Sequence, residues 1–282
     1  MTLFKMKSRN KILFKVETLS YSDEGQGPVV VLLHGYLMNA DAWMDFRKNL
    51  SATYRVICPD LPGHGKSSCW GYIHTMDFMA EAVKGLLDYL RIRKCCMFGH
   101  SMGGYVTLAF AEKYIENLRG FGWFFSTPFA DSDEKKRDRI RAISLLKNKK
   151  SFYIRETLRG LFQQKELKYI RQTYQDVLKD ALQITPRGAI AALRGMMTRP
   201  DREVVIRFSP VPVFCMNGGN DSVIPQNIIR ELMDNYSHIF FVLEENLGHM
   251  GFLEYPAFCL RQMRKFLSSV HSTDERLKKN LF

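Results

Sequence analysis

The sequence predicts an α/β protein built on a mainly parallel sheet. Three observations carry this. Short apolar runs at 28–33, 54–58, 94–98 and 118–126 alternate with helix-like stretches at βαβ spacing. These runs are apolar at nearly every position, as in strands covered on both faces. Between the third run and a helix pattern lies Gly99-His100-Ser101-Met102-Gly103. That is the carboxyl end of a strand, where sheets of this kind hold their ligands.

Taken in order, residues 1–5 and 11–21 read as two opening strands, and Asp23-Glu24-Gly25-Gln26-Gly27-Pro28 as a turn cluster. Together they suggest an antiparallel edge ribbon. The run 28–33 ends in His34-Gly35-Tyr36-Leu37, and Asn39 and Asp41 offer caps for a helix over 42–50. His34 is expected to hold this loop and to transfer no proton. After the run 54–58, an ordered loop spans Pro59-Asp60-Leu61-Pro62-Gly63-His64-Gly65-Lys66-Ser67-Ser68. Its Gly65-Lys66-Ser67 matches the end of a phosphate-binding loop. The full pattern needs glycine where Asp60 stands and a helix opening at once, so that reading fails. Residues 75–90 are amphipathic, with Thr75 as N-cap. The run 94–98, a helix over 105–114 and the run 118–126 follow.

From 127 to about 203 the character changes. Four helix patterns (131–147, 151–163, 165–182 and 187–197) succeed one another with no strand between them. The stretch 131–203 holds 18 Lys and Arg against 10 Asp and Glu, a surplus of eight within the chain's net +12. Residues 128–203 are therefore expected to form a helical cap (lid) inserted into a core made of 1–127 and 204–282. Cap helices shape a pocket and gate entry to it. Phe129, Phe152, Leu158, Leu161, Phe162, Met196 and Met197 are the candidate lining and substrate-binding residues. Strand character returns at 211–216, with Asn217-Gly218-Gly219-Asn220-Asp221 turning after it. A helix over 226–236 opens behind Pro225, a strand covers 239–243, and a closing amphipathic helix covers 256–270. The charged tail 271–282 is expected to fray.

The bulk properties exclude several function classes. At 282 residues the chain can bury one large core. No run is long enough to span a bilayer. Residues 1–10 carry lysines but neither an apolar core nor a small-residue cleavage site, so a signal peptide is not expected and the protein is expected to be cytoplasmic. Six cysteines without a Cys-x-x-Cys pair suggest neither a zinc nor a redox site, and four of them sit in strand-like runs as small hydrophobes. There is no His-x-x-x-His, and no Gly-x-Gly-x-x-Gly opens a helix after a strand, so neither metal nor dinucleotide is expected. The net charge of +12 comes without a nucleic-acid motif and is read as a solubility feature.

Gly-x-Ser-x-Gly between strand and helix is a nucleophile elbow. The tight turn strains the backbone at Ser101, and the flanking glycines let strand and helix approach. The hydroxyl then sits at a helix N-terminus, whose dipole favours developing negative charge. A serine needs a base, and the base an orienting acid, here in the chain order serine, acid, histidine. Of the seven histidines, His238, His249 and His271 follow Asp221. His238 precedes its strand and His271 lies beyond the closing helix, which leaves His249, flanked by Gly248 and Gly251. For the acid, Asp221 lies just past a strand end; Asp131, Glu244 and Glu245 are the alternatives. The oxyanion donors are assigned to the backbone N–H groups of Tyr36 and Met102. Losing one such donor costs roughly 3–4 kcal/mol of barrier.

These residues together resemble the α/β-hydrolase superfamily. The resemblance runs from Val29 to Leu267 through His34-Gly35, the loop from Asp60 to Ser67, the elbow with Gly104, Gly218 to Asp221, and Gly248-His249. It is closest to the capped serine-hydrolase branch of esterases, C–C bond hydrolases and perhydrolase-like enzymes. The resemblance implies the α/β-hydrolase fold: an eight-stranded, mostly parallel sheet flanked by helices, a helical cap between strands six and seven, and a cofactor-free Ser-Asp-His triad. It also implies a carboxylesterase-like serine hydrolase acting on a small-molecule ester through an acyl-enzyme; from the missing motif and the missing apolar run, no nucleic-acid or membrane partner is expected. Relatives with aspartate at the nucleophile position, the dehalogenases and epoxide hydrolases, are excluded by Ser101. Two alternatives are a C–C bond hydrolase or a menaquinone-pathway-type lyase acting on an anionic metabolite. The lyase is expected to carry arginine where this chain has Tyr105, although the basic cap would suit an anionic substrate. Non-catalytic binding of a small molecule on the same scaffold is a third possibility. Oligomeric state is not legible.

Overall fold

A computed structural model describes residues 9–15, 17–163 and 165–279. The expected strand at 1–5 lies outside the described residues. The chain opens with β1 (Asn10–Phe14) and β2 (Glu17–Glu24), paired antiparallel with Asn10 opposite Tyr21 and Phe14 opposite Glu17. The stretch 11–21 is thus a hairpin rather than one strand. The reversal lies at Lys15, which takes a left-handed φ of 57°, the geometry tight hairpin turns require. Alternation survives before the turn, where Ile12 is buried while Leu13 is 75% exposed.

β3 (Val29–Leu33), a 3₁₀ turn capped by the Asn39 side chain, α1 (Met44–Leu50) and β4 (Arg55–Pro59) follow. Next come α2 (Met76–Tyr89), β5 (Cys95–His100), α3 (Met102–Tyr114) and β6 (Leu118–Phe124). The Thr75 hydroxyl accepts from the Phe78 N–H at 3.0 Å and so caps α2. After the helical insertion come β7 (Val213–Gly218), α8 (Gln226–Asn235), β8 (Phe240–Glu244), a short turn of helix and a closing helix, Pro256–Lys279. That last helix runs past 271, where fraying was expected. There the His271 ring is bonded to the Leu267 carbonyl at 2.6 Å and lies against Tyr54. Residues 280–282 lie outside the described residues.

The eight strands form one sheet in the order β1-β2-β4-β3-β5-β6-β7-β8, parallel from β4 to β8. Apolar layers cover both faces, which is why the central strands read as unbroken apolar runs. Val31, Leu33, Met97, Phe121, Trp123 and Cys215 face α2 and α3. Val30, Leu32, Phe98, Phe124, Phe214 and Met216 face α1 and the closing helix, where Phe98, Phe214 and Phe266 meet edge-on or tilted at 5.5–5.7 Å. All six cysteines are free, and five are buried. Among the described residues no helix is long and apolar enough to cross a membrane.

Between β6 and β7 lie α4 (Asp133–Leu161), α5 (Arg171–Gln183), α6 (Pro186–Met197) and α7 (Glu203–Arg207). The two helices expected at 131–147 and 151–163 are joined as α4 across a break at Lys149 (φ −142°, ψ 49°). The Lys150 ammonium satisfies the Leu182 and Ile184 carbonyls at the end of α5. Residues 165–170 are turns, so α5 starts later than its apolar pattern suggested. The sequence pattern did not foretell α7.

The insertion touches the loops after β3, β4, β7 and β8 at the carboxyl edge of the sheet. Asn39 reaches Asp180, Ala191 accepts from His74, and Ser222 donates to the Gly160 carbonyl. Gln163 contacts Asn246 and Glu254. Gly188 lies so close to Gly63 that a Cβ would stand 2.2 Å from the Gly63 carbonyl oxygen. At its far end Arg202, almost fully buried, pairs with Asp77 of α2 and Glu112 of α3.

Candidate active site

Three non-glycine residues with left-handed φ collect at the carboxyl edge: Leu37 (63°) after β3, Ser101 (51°) after β5 and Phe125 (52°) after β6. Such backbone costs energy and persists only where its surroundings hold it. Here the Ser101 N–H donates to the Phe124 carbonyl at 3.0 Å, and the Ser126 hydroxyl donates to the Ser101 carbonyl at 2.8 Å. The Phe125 N–H donates to the Met216 carbonyl at 2.7 Å. Two glycines allow the elbow. A Cβ on Gly99 would lie 2.0 Å from the Gly103 oxygen, and one on Gly103 would lie 2.3 Å from the Leu33 oxygen.

The structure brings Ser101, His249 and Asp221 together. Ser101 Oγ is 2.9 Å from His249 Nε2, and His249 Nδ1 is 3.0 and 2.9 Å from the two Asp221 carboxylate oxygens. Both partners of the serine have almost no exposed side-chain surface. Asp221 Oδ1 also accepts from the backbone N–H groups of Val223 (2.7 Å) and Ile224 (3.0 Å). The carboxylate is therefore held by backbone on one side and aimed at the imidazole by the other. With Nδ1–H donating to Asp221, Nε2 is free to accept the serine proton.

His100 lies under this pair. Its Nε2 donates to the His249 carbonyl at 3.0 Å, and Gly35 leaves no room for a Cβ against its other nitrogen. Burial, reinforced by the neighbouring His249, pushes its pKa well below the ordinary histidine value, so it stays neutral. His34 sits at the root of the loop after β3. Its Nδ1 donates to the Gly35 carbonyl and its Nε2 accepts from the Leu61 N–H at 2.9 Å. Asp60 ties the same region down by accepting from Ala40 N–H, Lys66 N–H and Arg9. The backbone N–H groups of Tyr36 and Met102 have no protein acceptor among the described residues.

The other acids have other partners. Asp131 is buried between Arg139 and Arg199, and Glu244 is within reach of its neighbour Asn246. Glu245 pairs with Arg230 at the surface. His238 bonds to the Ile206 carbonyl and His271 lies on the closing helix. Of the lining candidates, Leu158, Phe162 and Met196 are buried, while Phe129 and Met197 are half-buried. Phe152 is 56% exposed and points away from the core. After the break at Lys149 the buried phase runs Ile154, Leu158, Phe162, and Phe152 is off it. Among the described residues no group of three or more His, Cys, Asp or Glu is arranged to hold a metal.

The sequence reading did not single out Lys135 and Arg139 on the first turns of α4, or Arg199 after α6. Lys135 and Arg139 follow Asp131 at four-residue steps, a spacing that marks one face of a helix.

A family model described as the alpha/beta hydrolase fold matches residues 28–121. The chain is 27% identical to the pimeloyl-[acyl-carrier protein] methyl ester esterase of Aeromonas hydrophila over 239 residues, 82% of this chain and 92% of that protein. It is 42% identical over 106 residues to the 2-hydroxy-6-oxononadienedioate/2-hydroxy-6-oxononatrienedioate hydrolase of Paraburkholderia phymatum, 35% of this chain and 36% of that one. Among solved structures, the malate-bound thermophilic esterase of Thermogutta terrifontis superposes with a TM-score of 0.87 at 29% identity, covering 94% of this chain and 99% of that one.

Proposed function

We propose that this chain, an esterase-like enzyme of the α/β-hydrolase superfamily, hydrolyses a small carboxylic ester through an acyl-enzyme formed on Ser101. The observation that carries the reading is the continuous hydrogen-bonded chain from Ser101 Oγ through His249 to Asp221, with the serine on a strained elbow at a helix N-terminus. Ser101 attacks the acyl carbon as His249 Nε2 takes its proton. Asp221 keeps the imidazole in the accepting tautomer and stabilises its charge. The N–H groups of Tyr36 and Met102 receive the oxyanion. His249 returns the proton to the departing alcohol, then activates the water that releases the acid.

Residues 128–203 act as the cap over a core of 1–127 and 204–282. Phe129 and Met197, with the buried Leu158, Phe162 and Met196 behind them, shape the acyl pocket. The enzyme needs no cofactor and works in the cytoplasm. The test is hydrolysis of p-nitrophenyl esters of rising acyl length by wild type and Ser101→Ala. Turnover that depends on Ser101 and peaks at one chain length is expected. Turnover unchanged in the alanine variant would sink the assignment.

A second reading, hydrolysis of a C–C bond by the same triad, draws on the higher identity of the Paraburkholderia hydrolase over its shorter match. It predicts Ser101-dependent cleavage of a vinylogous diketone acid and negligible turnover of every simple ester.

A further inference from the structure

Three cations gather around one carboxylate at the base of the helical insertion. Arg139 Nε and Nη2 donate to Asp131 at 2.5 and 3.2 Å. Arg199 Nη1 donates to Asp131 and to the Met196 carbonyl at 2.6 and 3.0 Å, and its Nη2 donates to the Phe129 carbonyl at 3.0 Å. The side chains of Asp131, Arg199 and Arg139 are only 2%, 4% and 11% exposed. Lys135 is half-buried one turn from Arg139, and its ammonium has no ion-pair partner among the described residues. The nearby acids are already engaged: Asp138 with Arg141 at the surface, and Asp221 with His249 and two backbone N–H groups. Asp221 keeps its negative charge beside the neutral His249, so the cluster holds three positive charges against two negative ones, one in excess.

The surplus lies against the first turn of α3, the helix that Ser101 opens. The Arg199 guanidinium lies 3.8 Å from the ring centroid of Tyr105, whose N–H approaches the Ser101 carbonyl at 3.3 Å. The Arg139 charge acts on the hydroxyls of both Tyr105 and Tyr36, the latter on the turn assigned to the oxyanion. Burial and the Arg139 charge lower the Lys135 pKa, while Asp131, Asp138 and Asp221 act on it in the opposite direction. Unpaired positive charge withdrawn from water is costly, and an anion entering the site would relieve that cost. A planar guanidinium and a mobile ammonium side by side suit a carboxylate.

We propose that Lys135 and Arg139, backed by Arg199, bind a second anionic group of the substrate, a carboxylate a few bonds from the scissile carbonyl. The preferred substrate is then the half-ester of a short dicarboxylic acid. This rests on the esterase reading of the same site. Asp131 is a positioning residue: it holds the two arginines apart and leaves Lys135 unpaired.

The experiment compares monoethyl glutarate with ethyl pentanoate, which has the same acyl chain length without the charge, by pH-stat. Wild type is expected to favour the half-ester in kcat/KM by about tenfold or more, as befits a charge-assisted hydrogen bond in a half-buried site. Lys135→Gln should lower that ratio by about tenfold, mostly through KM, and Lys135→Arg should restore it. Arg139→Gln serves as a second probe. A wild-type ratio at or below one, or a ratio that neither glutamine variant changes, overturns the proposal.

Calorimetric binding of glutarate to Ser101→Ala, with and without Lys135→Gln, separates the two layers. Lysine-dependent glutarate binding without turnover of either ester refutes the ester chemistry and supports the anion site. Turnover of both esters without preference, and without lysine-dependent binding, refutes the anion site alone.

Discussion

Replacing Asp221 by asparagine tests the relay at its most constrained point. Asp221 is buried and accepts from three donors: the Val223 and Ile224 N–H groups on Oδ1, and the His249 ring. An asparagine can keep its carbonyl oxygen toward the two backbone donors, which leaves the amide NH2 facing His249. Two donors cannot share that hydrogen bond, so Nδ1 must become the acceptor and Nε2 must carry the proton. An Nε2–H cannot accept from Ser101. The imidazolium that forms in the transition state also loses its buried counter-charge. A change of this kind lowers kcat by about 10⁴-fold, or about 5 kcal/mol of barrier. Stability should change little, because both backbone donors keep their acceptor. The assay is steady-state turnover of a p-nitrophenyl ester with purified Asp221→Asn, alongside its thermal unfolding. A folded variant within tenfold of wild-type kcat would refute the reasoning. The orienting acid would then have to be sought elsewhere, although Asp131 is held by Arg139 and Arg199.

Other perturbations probe the scaffold. Gly103→Ala puts a methyl group 2.3 Å from the Leu33 oxygen and 2.7 Å from the His34 oxygen, both backbone atoms. A loss of about 3 kcal/mol or more is expected, and a wild-type denaturant midpoint would contradict it. Thr75→Ala removes the hydroxyl that accepts from Phe78 N–H and should cost about 1 kcal/mol by the same measurement, with turnover retained. Burial lowers the pKa of His34 to about 4 and of His64 to about 3. An unfolded histidine titrates near 6.5, at about the ordinary value. The unfolded chain therefore binds more protons below that pH, and stability is lost as pH falls from about 6.5 toward 4. With two such groups the slope reaches up to about 2.7 kcal/mol per pH unit, so a midpoint unchanged between pH 7 and 5 would contradict these shifts.

Much of the sheet was legible because its physics is local. Strands β3, β5, β6 and β7 are covered on both faces and so read as continuous apolar runs. Ser101 was legible because only a short list of residues permits a strand to turn into a helix within one position. What was lost depends on long-range contact or on phase. The hairpin at Lys15 hides in partial alternation, since a left-handed lysine carries no turn signature comparable to Asn-Gly. Phe152 looked like pocket lining because a helix pattern was read across 151–163 without fixing its phase. The break at Lys149 resets that phase, and Ile154 and Leu158 take the buried face.

The same limit explains why the net charge looked like a solubility feature and why no residue of the basic cap could be matched to an anionic substrate. Counted along the chain, its cations have acids nearby, and a surface lysine is unremarkable. Only the fold aims Asp221 at His249, turns Asp138 outward to Arg141, and buries Asp131 between two arginines. Lys135 then becomes a half-buried charge without an ion-pair partner among the described residues. The local sum of charge, rather than the net +12 of the chain, is what a substrate meets at the active site. On the proposed reading, the chain from Ser101 through His249 to Asp221 supplies the nucleophile. In the same proposal, the charge balance around α4 selects the molecule brought to that nucleophile.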